Sequence, residues 1–350
     1  MQERLLKNML VCSVLFAVVA MSGMLYFSAT KTIVIAEEAA SEQGTDEGSM
    51  QTAKRNRLQF QADEKVQGLE IPLPPEIRAD DIVIENRYIE NCIHVILTGK
   101  FNEFYRTRII LGNGELVDGG FLSEENGKTR LQLEMTGLYE HQYVFENGML
   151  QLSFKKPAQM YDKIVVLDAA CGGMDIGNSG GGIQEKNITL EVMEKVRERL
   201  KDTDIRVYCT RTDDVTVPVE KRAEFANELT ADLLVSIRAG ADNSNEKVFG
   251  IQAFYNGTYF IPYFGNVQLA DLLERNTVAA VGGKANGLFE TEDEEGLLQS
   301  LQMPAAAIEI GYLTNKEETE KLFLPEYKEK LAEGIALTIN QAFAEIEQTP

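Results

Sequence analysis

The chain contains no histidine from Gln142 to Pro350; its two histidines, His94 and His141, both precede that stretch. The stretch therefore has no imidazole to bind a metal or to serve as a base near neutral pH. Four cysteines are spread along the whole chain, at Cys12, Cys92, Cys171 and Cys209. They form no CxxC pair and no dense framework, so neither a thiolate zinc cluster nor a disulfide scaffold is indicated.

The histidines themselves suggest no site. His94 alternates with apolar neighbours, and His141 lies in a Tyr/Glu-rich stretch without partners. We expect both to be structural side chains with satisfied hydrogen bonds. A disulfide from Cys92 to Cys171 or Cys209 is left open by the sequence.

Length and charge limit the functional classes. The 350 residues, of which 44% are hydrophobic, can bury one or two sizeable cores. The net charge of -21 argues against nucleic-acid binding, which needs a basic surface, and it disfavours anionic lipid surfaces.

The N-terminal segment 1–30 is predicted to be a transmembrane anchor. Its apolar run 9–29 reaches about 32 Å as a helix, enough for a bilayer core. Arg4 and Lys7 precede the run and favour a cytoplasmic N-terminus, which leaves the bulk of the chain extracytoplasmic. A cleaved signal peptide is the alternative. Residues 31–57, rich in Glu, Ser, Gly and Thr, are predicted to be a flexible linker.

Residues 58–157 are predicted to form an all-β module, a sandwich. Short alternating runs are typical of half-buried strands, and they lie at 82–89, 92–99, 107–112, 130–135 and 150–154. Turn signals at Asn113–Gly114, Asn126–Gly127 and Asn147–Gly148 separate these runs.

Residues 160–350 are predicted to form an α/β domain, a mixed central sheet flanked by helices. Strand-like runs occur at 163–169, 204–211, 232–239, 249–255 and 304–313. Between them, Ile188, Val192, Val196 and Leu200 recur every four positions and predict one buried helical face, with Asn187 as its cap.

Five motifs follow one another in this second domain: VVLDAACGGMDIGN (165–178), IQEKNITLEV (183–192), TRTDD with KRAEFAN (210–214, 221–227), ADLLVSIRA (231–239) and MPAAAIEIGYLTN (303–315). In order and spacing they resemble the zinc-dependent N-acetylmuramoyl-L-alanine amidases of the Amidase_3 type. The β module before them weakly resembles the AMIN-type domains that often precede such enzymes.

The resemblance implies a site of two histidines and one glutamate around zinc, with a second glutamate as acid/base on the metal-bound water. Glu185 matches the zinc-binding glutamate and Glu309 the catalytic one. Cys171 and Arg238 stand where the family has its two histidines. A thiolate can bind zinc, but a guanidinium cannot, so we expect no bound cofactor, or zinc if the family's chemistry survives.

We hypothesise that Arg238 replaces the charge of the metal by pairing with Glu185, Glu309 or both. Cys171 as a nucleophile is a further alternative, although that chemistry normally uses a neighbouring base. Asp168 and Asp175 also match motif positions, where hydrogen bonding in loops and caps explains them.

Three functional classes follow from the resemblance. The favoured one is an inactive amidase homologue that binds peptidoglycan or an envelope protein and acts there as a binding or regulatory protein. The second is an active amidase that cleaves the lactyl–L-alanine amide of peptidoglycan with an atypical metal site. The third is a structural envelope protein whose cleft binds nothing.

Overall fold

The computed structural model describes residues 56–257, 260–261, 264–291 and 296–348. The predicted anchor 1–30 and nearly all of the predicted linker lie outside these residues. Asn56 and Arg57, at the end of that linker, already form a strand, paired with Leu122 and Phe121. No helix within the described ranges has both the length and the hydrophobicity to cross a bilayer.

The first part of the described chain is a β module of two five-stranded sheets. Its elements are β1 (Asn56–Arg57), β2 (Gln59–Ala62), β3 (Leu69–Pro72), β4 (Ile82–Arg87), β5 (Cys92–Thr98), the short helix α1 (Asn102–Tyr105), β6 (Ile109–Gly112), β7 (Val117–Glu125), β8 (Lys128–Met135), β9 (Glu140–Glu146) and β10 (Met149–Lys155). The strand orders are β1-β7-β8-β5-β4 and β2-β6-β3-β10-β9. Apolar side chains from strands of both sheets form one shared core.

Two of the predicted turns close tight hairpins. Asn126–Gly127 joins β7 to β8, and Asn147–Gly148 joins β9 to β10. All four residues have φ between 51° and 75°. The two-residue turn whose twist matches that of paired strands requires a positive φ at both central positions. Asn-Gly adopts these φ values with little backbone strain.

The second part is an α/β domain. Its elements are β11 (Ile164–Ala169), β12 (Ser179–Gly180), β13 (Ile183–Gln184), α2 (Glu185–Leu200), β14 (Arg206–Cys209), α3 (Val219–Glu228), β15 (Leu233–Gly240), β16 (Ile251–Tyr255), β17 (Phe260–Ile261), β18 (Phe264–Gly265), α4 (Asn266–Val281), β19 (Ala285–Glu290), β20 (Ala305–Tyr312), α5 (Lys316–Leu322) and α6 (Pro325–Glu347). Short 3-10 turns lie at Ala79–Asp81, Tyr88–Glu90, Pro157–Gln159 and Leu297–Gln299.

The central sheet of this domain has the strand order β14-β11-β15-β20-β16-β19. Every neighbouring pair is parallel except β16 with β20, which is antiparallel, so the sheet is mixed as predicted. The central strands β11, β15 and β20 are buried on both faces, which explains their nearly continuous apolar runs.

Alternate residues of β11 pack into two different cores. Val165 and Leu167 join the cluster that includes α2, α4 and α6, whereas Ile164 and Val166 join the cluster that includes α3. The predicted apolar face of α2 is fully buried. The predicted cap Asn187 is wrong, because α2 begins two residues earlier and Gln184 is the residue at its N-cap.

The β module packs against the α/β domain around a buried carboxylate. Glu140, at the start of β9, is 8% exposed and accepts hydrogen bonds from the hydroxyls of Tyr88 and Tyr208. It also pairs with Arg206 at 2.8 Å. A second link joins the backbone N–H of Leu138 to Glu228 at 2.9 Å.

Candidate functional site

The four candidate residues converge at the carboxyl ends of the central parallel strands. Cys171 lies two residues beyond β11, Glu185 opens α2, and Arg238 and Glu309 are paired in register on β15 and β20. In open α/β sheets this edge is where ligands bind, because loops there can diverge to leave a crevice. The structure therefore brings together the residues that the motifs singled out.

Glu185 is held by backbone amides. Glu185 is only 5% exposed. Its two carboxylate oxygens accept hydrogen bonds from the backbone N–H groups of Asn178, at 2.8 Å, and Ala239, at 3.0 Å. The side-chain amide of Asn178 also donates to the carbonyl of Ala239 at 2.9 Å. Glu185 thus ties the loop after β11 to the end of β15.

Glu309 is bound by a residue that the motifs did not reveal. Gln252, directly opposite on β16, donates from Nε2 to the Glu309 carboxylate at 2.6 Å. Burial raises the pKa of Glu309, and the charge of Glu185 adds to that rise, while Gln252 and Arg238 oppose it. Glu185 and Glu309 therefore lie at the same edge of the sheet, near enough for the charge of one to act on the other. Gln252 was recognisable only as a polar residue inside an apolar strand.

Arg238 does not form the predicted ion pair. It is half-buried, and no hydrogen bond or ion pair joins its guanidinium to Glu185 or Glu309 in the described part of the chain. Its influence on Glu309 is that of a nearby charge, which lowers the pKa. Two backbone amides hold the Glu185 carboxylate and Gln252 holds that of Glu309, so both carboxylates are hydrogen-bonded without the guanidinium.

Cys171 sits in a strained turn with its thiol against the carboxylates. Its φ is 63°, in the left-handed region that non-glycine residues rarely adopt. A Cβ at Gly177 would lie 2.5 Å from the Cys171 sulfur and 2.6 Å from Glu185 Oε2, so only glycine fits there. Burial and the charges of Glu185 and Asp175 raise the pKa of Cys171 to about 12, which keeps the thiol neutral.

A buried ionic network fixes the loop that carries Cys171. Arg222 pairs with Asp168 at 2.9 Å and donates to the carbonyl of Cys171, also at 2.9 Å. Asp168 accepts further hydrogen bonds from Ser236 and Thr210. Burial alone raises the pKa of Asp168, but the charge of Arg222 and these hydrogen bonds outweigh it and leave the pKa lowered. Asp168 is therefore structural, as predicted.

Asp175 has the same kind of role in the loop itself. Its carboxylate accepts from the N–H of Gly177 at 3.0 Å, and its backbone forms an isolated bridge with Gly172. These contacts hold the turn between β11 and α2.

The donor set does not fit the zinc ion that the motifs imply. Zinc sites need three or four lone-pair donors at about 2.0–2.3 Å. Arg238 has none and stays protonated, which leaves only Cys171 and Glu185 as donors among the three ligand positions of the motif. No group of three or more His, Cys, Asp or Glu side chains in the described ranges is arranged to hold a metal.

The remaining histidines and cysteines lie elsewhere. His94 contacts the sulfur of Cys92 at 3.6 Å, and His141 Nδ1 lies 2.9 Å from Asn86 Oδ1, both within the β module. Burial lowers the pKa of each histidine. The disulfide left open by the sequence is not formed, since Cys92, Cys171 and Cys209 are free thiols.

Comparison with known proteins places the motifs in one family. The family model described as N-acetylmuramoyl-L-alanine amidase matches residues 165–341. The germination-specific N-acetylmuramoyl-L-alanine amidase of Bacillus subtilis is 30% identical over 229 residues, which is 61% of this chain and 92% of that protein. The amidase AmiC of Escherichia coli is 26% identical over 52% of this chain and 53% of its own length.

Solved structures similar to this chain include two amidases. An N-acetylmuramoyl-L-alanine amidase of Clostridium difficile 630 is 30% identical, with a TM-score of 0.49 over 54% of this chain and 98% of that one. The CwlD amidase of Clostridioides difficile, solved with the GerS lipoprotein, is 25% identical with a TM-score of 0.49, over 52% of this chain and 99% of that one. The family match begins at residue 165, so the AMIN-like character of the β module stays a prediction.

Proposed function

This chain belongs to the family of N-acetylmuramoyl-L-alanine amidases, and from that premise we propose that its α/β domain binds peptidoglycan without hydrolysing it. An envelope protein is the alternative partner for the same cleft. The protein then acts as a binding or regulatory component of the cell envelope. We place it at the cell membrane, held by the apolar run 9–29, with the bulk of the chain on the extracytoplasmic side.

The observation that carries this proposal is the position of Arg238. Its half-buried guanidinium stands beside Glu309, at the place of a zinc-binding histidine in the family motif. A dication in this cleft would be repelled by that fixed charge on the order of several kcal/mol, even at an effective dielectric of about 20. The family's metal-bound water therefore has no favourable place here.

The same residues are suited to binding. Arg238 has no ion-pair partner among the described residues, so its N–H groups are available to carbonyl or carboxylate oxygens of a peptide. Glu309 beside it can accept from a peptide N–H when ionised, or donate when protonated. A stem peptide offers both kinds of group. Binding without cleavage is what such a pair of side chains can do without a metal.

The second candidate, an active amidase, draws on one specific observation. Glu309 keeps the cleft position of the family's acid/base residue, and burial raises its pKa toward the range useful for proton transfer. Without an activated water this carboxyl has no nucleophile to serve, so we rank hydrolysis below binding.

Purified cell walls separate the three classes. The full chain in mild detergent is mixed with walls, sedimented, and the supernatant is assayed for released stem peptide. We expect co-sedimentation without release, and about tenfold weaker binding for Arg238→Gln, because one charge-assisted contact is lost. Arg275→Gln, an exposed arginine on α4 paired with Asp271, is the matched control and should bind like the unmodified chain.

Two outcomes would overturn the proposal. Release of stem peptide by the unmodified chain would make it an enzyme. Absence of binding to walls, together with identical behaviour of the Arg238 and Arg275 variants, would reduce it to a scaffold.

A further inference from the structure

A cavity lies at the seam between the β module and the α/β domain. It has a volume of about 380 Å³ and is lined on one side by residues 86–90 and on the other by Arg197 and parts of 206–217. Nothing in the proposed wall binding uses it. Its size is in the range of small-molecule sites.

The lining of this seam cavity is positive in a strongly acidic protein. Four arginines line it, Arg87, Arg197, Arg206 and Arg211, against two carboxylates, Glu90 and Asp213. Arg87 pairs with Glu90 at 3.2 Å and Arg206 with Glu140, which leaves Arg197 and Arg211 as the lining arginines without an ion pair among the described residues. The chain as a whole has a net charge of -21. A local excess of cations inside a concave, partly desolvated surface concentrates anions there.

Arg211 is the most deeply buried of the four arginines. It is 3% exposed, yet it forms no ion pair in the described chain. Its acceptors are neutral: the carbonyls of Ala169, Ala170, Lys186 and Asp213, and the hydroxyl of Thr189. Burial and the neighbouring Arg222 lower its pKa. The charges of Asp168 and Asp214 favour its protonated form, but neither carboxylate forms an ion pair with it, and a bound anion in the cavity would add a further counter-charge.

Two other arginines have unused capacity. Arg197 is exposed and forms no ion pair with any described residue. Arg206 pairs with Glu140 and stacks over Tyr161 and Tyr208, but its buried Nε has no hydrogen-bond partner. A stacked guanidinium that an ion pair holds in place is pre-organised to bind an oxygen anion through its other N–H groups.

We propose that the seam cavity is a binding site for a small anionic ligand that carries a phosphate or carboxylate group. The ligand would contact Arg87 from the β module and Arg197, Arg206 and Arg211 from the α/β domain. Phosphate and carboxylate both present two charged oxygens on one atom, which a guanidinium group binds through paired hydrogen bonds. Binding would also bridge the two parts of the chain.

The test is calorimetric titration of the full chain with inorganic phosphate, and in a parallel arm with succinate. We expect saturable binding of at least one probe at low ionic strength, weakened by added salt. Arg197→Gln should weaken it about tenfold or more, since it removes a charge-assisted contact without breaking an ion pair. Arg78→Gln, an exposed arginine outside the lining, is the control and should bind normally.

The two arms identify the anion: phosphate alone, succinate alone, or both. The proposal is overturned if neither probe binds saturably, or if Arg197→Gln and Arg87→Gln both bind as tightly as the Arg78 control. Because Arg197 and Arg87 are surface residues, loss of fold is not expected, and a circular dichroism melt of each variant checks this.

Discussion

Arg238 and Glu309 occupy paired positions on adjacent parallel strands, and no ion pair joins their side chains in the described chain. Gln252 on the antiparallel neighbour takes the Glu309 oxygen instead. The cleft therefore keeps a cation and a carboxylate side by side, each with capacity to bind a third group. This arrangement is the basis of the proposal that the cleft binds a ligand rather than a metal ion.

Replacement of Glu309 by glutamine should stabilise the protein at neutral pH. Burial raises the pKa of Glu309 above the usual 4.5, so its contribution to stability is full below pH 4.5 and is lost as pH rises through the folded-state value. Urea denaturation should show a higher free energy of unfolding for Glu309→Gln at pH 7, and no advantage at pH 4. Glu320→Gln, on the exposed surface of α5, should show neither effect. A less stable Glu309→Gln at pH 7 would contradict the assignment.

The thiol of Cys171 should be unreactive at neutral pH. With its pKa raised to about 12, only about one part in ten thousand is thiolate at pH 8. Alkylation by iodoacetamide, followed by peptide mass spectrometry, should increase about tenfold per pH unit from pH 7 to 10. A rate that levels off before pH 8 would indicate an activated thiolate and would revive the cysteine-nucleophile alternative.

Loss of Arg222 should be severely destabilising. Arg222→Met leaves Asp168 buried and unpaired and frees the carbonyl of Cys171, with an expected cost of about 3–5 kcal/mol in the free energy of unfolding. Arg275→Met breaks only the exposed pair with Asp271 and should cost at most about 0.5 kcal/mol. A similarly small loss in the free energy of unfolding of both variants would mean that the Asp168 network does not hold the loop that carries Cys171.

The seam between the two parts of the chain should depend on Glu140. Glu140→Ala removes the acceptor of Tyr88, Arg206 and Tyr208, and should lower the free energy of unfolding by about 1–3 kcal/mol. Glu146→Ala, at the exposed end of the same strand, is the control. Denaturant unfolding measures the free energy of unfolding of both variants. Equal values would show that the buried carboxylate of Glu140 adds nothing to the stability of the fold.

Much of the fold could be predicted because the local signals were strong. The apolar period of α2, the Asn-Gly turns and the five apolar runs of the sheet each correspond to an observed element. The strand β19 and the helices α3, α4 and α5 were not identified. The start of α2 was placed at Asn187, because a capping residue was expected, whereas the chain enters the helix through β13 without a side-chain cap.

The site could be predicted only in part. The motif register located Cys171, Glu185, Arg238 and Glu309 correctly at one sheet edge. The hydrogen bonds to the two carboxylates could not be predicted, because they depend on which neighbouring groups lie within hydrogen-bond distance in the folded chain. The backbone amide of Ala239 donates to Glu185 and the side chain of Gln252 donates to Glu309, while the predicted ion pair with Arg238 is absent among the described residues.

The central claim is that Cys171 and Arg238 remove the family's metal chemistry while the fold is retained. Zinc content and stem-peptide release should be measured for the full chain beside the Cys171→His, Arg238→His double variant. Histidine tolerates the left-handed backbone at position 171 better than most residues, so the variant should fold. We expect no stoichiometric zinc and no release from the unmodified chain, and zinc binding in the double variant. Stoichiometric zinc together with stem-peptide release from the unmodified chain would contradict the account.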